Sequence, residues 1–155
     1  MIKVLRGSSL IELIVATGVM ALVLTAIVAG LTLSLKIGAD SEYRTQAVKR
    51  AQEGMEVFRR ERTLLGWDLF VNSLRASTTY CLATLPAPKV AFTPGLCSSS
   101  DVLIISSQEF FREATVTIDE TNPTDPLVKI TVTVSWAADE KAKDVVLPQT
   151  FRKWD

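Results

Sequence analysis

An α+β fold is predicted for this chain: one long N-terminal helix, its first half spanning a membrane and its second half packed on a C-terminal antiparallel sheet. Three patterns carry that expectation. Residues 13–35 hold no charge, residues 43–58 repeat their apolar positions at helical spacing, and beyond residue 102 apolar and polar residues alternate.

The first element opens with Lys3 and Arg6, followed by Gly7-Ser8-Ser9-Leu10-Ile11-Glu12 and then the uncharged run. About 20 apolar residues suffice to cross a bilayer as a helix, and the basic flank sets the N-terminus on the cytoplasmic side. Glu12 is out of keeping with its surroundings. An ionised acid within a membrane helix costs roughly 2.5–3.5 kcal/mol on insertion scales, so its position calls for a partner or for a place at the rim. Cleavage after Gly7 would put a cationic amine about 6 Å along the helix axis from Glu12. At an effective dielectric near 20 and about 4 Å separation, their attraction would be on the order of 4 kcal/mol, comparable to that cost. Two other readings stay open. In one, an ordinary signal anchor lets Glu12 snorkel to the interface; in the other, a secretory signal peptide is cut near Val28-Ala29-Gly30. The acid at the start of the run and the length of the run both argue against cleavage there.

Gly7, Leu10, Ile11 and Glu12 resemble the class III signal of type IV prepilins and pseudopilins. The resemblance implies that a membrane-embedded prepilin peptidase cuts between Gly7 and Ser8 and that Ser8 becomes the N-methylated first residue. It also implies that Glu12 meets the terminal amine of a neighbouring subunit during assembly. The partners it implies are other pilin subunits, the peptidase, an inner-membrane platform protein and a cytoplasmic assembly ATPase. Many family members begin with Phe where Ser8 stands, and major pilins often carry a kinking proline that residues 13–35 lack. Gly18 and Gly30 are the candidate points of local give.

Past the apolar run, Tyr43, Ala47, Val48, Ala51, Met55 and Phe58 fall along one side of a continuing helix. Arg44, Lys49, Arg50, Glu53, Glu56, Arg59 and Arg60 take the remaining surface as solvated charges, with Glu56 and Arg60 at favourable helix-pair spacing. Gly66 is placed to cap the helix after Leu65. From Ser8 such a helix would run on the order of 87 Å. The stretch from Ala51 to Arg59, with Trp67 downstream, resembles the corresponding helix of minor pilins of the pilus-modification type. Gly54 in that stretch is expected to let helix and sheet approach closely, with Met55 and Phe58 in the core and no catalytic use of Glu53 or Glu56.

Three strands are legible in the C-terminal half: residues 102–106; the alternation of Ala114, Val116 and Ile118; and that of Val128, Ile130, Val132, Val134 and Trp136. A fourth, returning strand is expected over residues 145–151, after a polar connection at 139–144. The turn-rich residues 119–126 join the second strand to the third. One apolar face per strand predicts a sheet with its other face wet. The ending, Val132 to Trp136 and a final Trp154, again resembles the minor-pilin group. The expected organisation is a leader at 1–7, a transmembrane and assembly helix at 8–36, its amphipathic extension at 37–66, and a globular β-sheet domain at 67–155.

Cys81 and Cys97 both follow the membrane segment, on its outer side, where an even count favours a disulfide. Such a link would contribute roughly 3 kcal/mol through loop closure. Pro86, Pro88, Pro94 and Gly95 between them disfavour regular structure; two free thiols remain the alternative in a host that does not oxidise exported proteins.

Composition narrows the function. The chain has 155 residues, enough for one small globular domain besides the helix, and its 17 basic and 17 acidic residues leave no electrostatic footprint for nucleic acid. There is no His, and Ser98-Ser99-Ser100-Asp101 lacks the partners of an activated nucleophile, so catalysis is not expected. Asp119, Glu120, Asn122 and Asp125 fall short of a full calcium-loop pattern; no metal or cofactor is assigned. The expected function is that of a structural subunit, a minor pilin or pseudopilin, held first in the cytoplasmic membrane and then in an extracellular or periplasmic filament. The alternative is a single-pass, membrane-anchored binding domain that never polymerises.

Overall fold

The computed structural model describes residues 10–85, 94–122, 126–138 and 141–153. Lys3, Arg6, Pro86, Pro88, Asp125 and Trp154, singled out above, lie outside them. The chain divides into two compact units, Met1–Ser41 and Glu42–Asp155. Helix α1, Leu10–Leu65, contributes to both. No proline interrupts its sequence, and it runs through Gly18 and Gly30 without a break. It stops at Gly66, whose φ of 73° suits a residue without a Cβ, and the Gly66 amide closes the last turn on the Arg62 carbonyl at 3.0 Å. A short helix, α2 (Trp67–Ser73), follows at once, a feature the sequence pattern did not suggest. It buries Phe70, whose ring lies 5.8 Å from that of Phe151.

The sheet of the globular unit has five antiparallel strands: β1 (Thr78–Cys81), β2 (Leu103–Ile105), β3 (Gln108–Asp119), β4 (Leu127–Ala138) and β5 (Lys141–Phe151). β3, β4 and β5 follow one another as a meander, while β1 and β2 share the other edge of β3. β1 pairs with Glu113–Val116 and β2 with Gln108–Phe110. Ser106 and Ser107, at φ of 50° and 65°, make the two-residue turn from β2 to β3, where left-handed backbone matches strand twist. β4 has the expected alternation, with Val128, Ile130, Val132, Val134 and Trp136 all buried.

Two strand limits differ from the expected ones. β3 starts earlier because Phe110 and Arg112 continue the inward series of Ala114 and Val116, and an arginine at an inward position hides the period. β5 takes in Lys141–Asp144, expected as connection; those residues are exposed and are held by backbone pairing with residues 135–138.

The core of this unit lies between the sheet and residues 42–65 of α1. Ala47, Ala51, Met55 and Phe58 are buried to 1% exposure or less, and Tyr43 meets the Phe110 ring edge-on at 6.5 Å. All four belong to one cluster with the inward-facing residues of β3 and β4. Each large side chain buried this way is worth roughly 1.5–3 kcal/mol. Val48, a full residue step around the helix from Ala47, remains 37% exposed and does not belong to the buried stripe.

Candidate functional site

The described residues of the Met1–Ser41 unit present an exposed apolar surface. Leu10, Leu22 and Leu35 are 76%, 72% and 74% exposed, and the α1 window over this region has a mean hydropathy of 2.5, long and apolar enough to cross a membrane. Its threonines are adapted to such a setting. The Thr17 hydroxyl donates to the Leu13 and Ile14 carbonyls at 3.0 Å, Thr25 to Ala21 and Leu22 at 3.1 and 2.9 Å, and Thr32 to Ala29 at 2.9 Å. A hydroxyl turned back on its own helix has no need of water. Glu12 lies in the first described turn, exposed among Leu10, Ile11 and Leu13. A carboxylate has no proton to donate to a helix carbonyl, so the solution used by the threonines is closed to it. Gly7 and Ser8, the expected cleavage and methylation positions, lie outside the described residues.

A second constellation fastens helix to sheet in the globular unit. Arg112 reaches inward from β3 and is 2% exposed. Its Nε and Nη2 donate to the Leu82 carbonyl at 2.9 and 2.7 Å, and its Nη1 donates to the Arg50 carbonyl at 3.2 Å and lies 3.4 Å from Glu53 Oε2. Glu53 also takes Arg50 Nη1 at 2.8 Å, so the charges of this turn form a network and are not simply solvated, as the helical pattern alone suggests. Burial pulls the Arg112 pKa below the usual arginine value, opposed by the charge of Glu53 and reinforced by that of Arg50. Paired and hydrogen-bonded in this way, the guanidinium can remain charged inside the core.

Gly54 makes room for it. A Cβ built there would stand 3.2 Å from Arg112 Cδ, 3.2 Å from Val132 Cγ1 and 3.3 Å from Leu82 Cδ1. Elsewhere on the helix, Arg59 binds Gln149 of β5 through Nε and Nη2 at 2.9 and 2.6 Å and pairs with Glu56. Nothing in the sequence pattern singled out Arg112. Its one trace was an inward alternation running from Phe110 to Val116 with a single polar residue in it.

Cys81 and Cys97 lie at disulfide distance, with sulfurs 1.95 Å and Cα atoms 4.8 Å apart. The pair sits over β3: the Cys97 amide donates to Glu113 Oε1 at 3.0 Å, and Cys97 Sγ rests 3.3 Å from the Arg112 carbonyl oxygen. Beyond it, residues 98–101 form a closed loop, in which the Ser98 hydroxyl and amide donate to Asp101 Oδ2 and the Asp101 amide returns to the Ser98 carbonyl. These bonds, the hydroxyl first, hold the Asp101 pKa below the carboxylate norm. Asp119 is lowered likewise by the Thr121 hydroxyl and amide, and so is already engaged in a local turn; Asp125 of the same segment lies outside the described residues.

No family model matches this chain, and no curated protein or solved structure does. The chain is an α+β protein whose long N-terminal helix is apolar enough to cross a membrane over its first part and is packed on an antiparallel sheet over its last.

Proposed function

We propose that the chain is a pilin-like structural subunit, a minor pilin or pseudopilin, that passes from the cytoplasmic membrane into a type IV pilus-like filament by packing its N-terminal helix against those of other subunits. The observation that carries this reading is a helix packed on its own sheet at one end and, among the described residues, apolar and exposed at the other, with one carboxylate, Glu12, in that exposed apolar part. A surface of that kind has two stable settings, lipid and the flanks of similar helices, and a subunit that moves between them uses both. Prepilin peptidase cutting after Gly7 supplies the amine that neutralises Glu12 across the subunit boundary, and the platform protein and assembly ATPase drive transfer. The role is structural, with no catalytic step assigned to any residue.

Sheared surface filaments and membranes from cells making Glu12→Gln test the proposal. The variant should remain in the membrane, correctly inserted, and fall at least tenfold in filaments, since loss of a pair of about 4 kcal/mol is ample for that factor. Normal incorporation of the variant would remove the charge-pair mechanism. If the unaltered chain is confined to membranes and never enters filaments, it is an anchored binding domain instead.

A further inference from the structure

The disulfide and the buried arginine meet at one residue. Leu82 directly follows Cys81, is 1% exposed, and is gripped from both ends by Arg112: its amide donates to the Arg112 carbonyl at 2.8 Å, and its carbonyl accepts the two guanidinium bonds. We propose that the Cys81–Cys97 bond is an exchangeable clamp, whose oxidation state sets how firmly the helix turn at Arg50–Gly54 is held to the sheet, with Leu82 and Arg112 transmitting the effect.

Geometry supports both halves of this. β1 is a four-residue edge strand, and Cys81 is its last paired residue, opposite Glu113. Beyond that point Leu82 is anchored by its side chain in the core, by its exchange of bonds with Arg112, and by the neighbouring cross-link to Cys97, which Glu113 fixes in turn. With the cross-link open, the edge can fray through Leu82, and a buried guanidinium without its main acceptor must reorganise. The other acceptors of the same guanidinium are the Arg50 carbonyl and Glu53, so the helix turn is affected next. Access comes from outside: Cys81 and Cys97 are half-buried, and a recess of about 280 Å³ opens beside them, lined by Cys81, Pro94, Gly95, Leu96 and Asp101.

The reaction partner is a dithiol. Its thiolate attacks one cysteine sulfur; a new S–S bond forms as Cys81–Cys97 breaks, and the released cysteine thiolate takes a proton from water. The second thiol of the reagent, deprotonated, then displaces the remaining cysteine. Two electrons pass to the chain, which holds two thiols, and the dithiol becomes a disulfide.

Amide hydrogen exchange on the full chain in detergent micelles, oxidised and after dithiothreitol, reads the coupling. Reduction should speed exchange on the order of tenfold at Leu82 and at the Gly54 amide, which donates to the Arg50 carbonyl, while the β4 amides keep their rates. Cys97→Ser should give the same pattern with no reductant. In Arg112→Lys, which loses the planar fork, the Gly54 amide should be fast already and reduction should add nothing there. Acceleration confined to residues 83–97 in both the reduced chain and Cys97→Ser would overturn the coupling, as would equal acceleration of β4. Cysteines that stay unreduced in the folded chain would overturn the exchangeability.

Discussion

The two ends of α1 differ in what completes them. Over residues 42–65 a sheet from the same chain covers one face, and the sequence shows it in a stripe of Ala47, Ala51, Met55 and Phe58 with charges elsewhere. Over residues 10–35 apolar residues go all the way round the helix, and their side chains are exposed. An apolar stripe identifies a partner on one side; a fully apolar circumference requires an apolar surrounding. The same secondary structure therefore serves folding at one end and, in the proposed role, association at the other, and the side chains are under different constraints. The glycines show it. Gly54 is hemmed in by three side chains, whereas Gly18 and Gly30 have nothing within 4 Å of a built Cβ.

Substitution on either side of this divide should separate the two roles. The largest effect is expected for Phe58→Ala, a fully buried side chain, which should lower the unfolding free energy of the globular unit by about 3–5 kcal/mol. Leu22→Ala, at 72% exposure, should change it by less than about 0.5 kcal/mol. Urea titration of the full chain in micelles, followed by tryptophan fluorescence, measures both; equal losses would erase the distinction between the two stretches of helix. A smaller contrast comes from the glycines. Gly54→Ala gains up to about 1 kcal/mol of helix propensity but forces contacts against Arg112, Val132 and Leu82, all held in the core, for a net loss of about 1 kcal/mol. Gly30→Ala meets open space and should leave the same transition unmoved. A stabilising Gly54→Ala would mean that the helix and sheet are less closely engaged than the contacts indicate.

The smallest effect is one of pH and belongs to the globular unit alone. The Asp101 pKa is depressed in the folded chain, so its contribution is present above the ordinary value of 3.8 and disappears as pH falls through the lower folded value. Carboxyl NMR titration should show Asp101 below that norm, and Ser98→Ala should bring it back up. An unchanged titration in the variant would assign the depression to something other than the Ser98 bonds.

Helix α1, its stop at Gly66 and strand β4 were legible in the chain because each depends on local geometry: a period of 3.6, a residue free of Cβ, or a period of 2 over many residues. β1 and α2 were not: their places come from pairing with β3 and from Phe70 meeting Phe151. The uncovered apolar stretch and its lone acid are evident from composition alone. Arg112 is the opposite case. An arginine amid alternating residues reads as an outward charge, and only the convergence of the Leu82 carbonyl, the Arg50 carbonyl and Glu53 at one point makes the core a tolerable place for it. Residue type and spacing determined the long helix, the longer strands and the stretch apolar enough to cross a membrane. The tertiary structure alone decided which charge is buried, because burying a charge depends on partners distant in sequence, and no local pattern records where they meet.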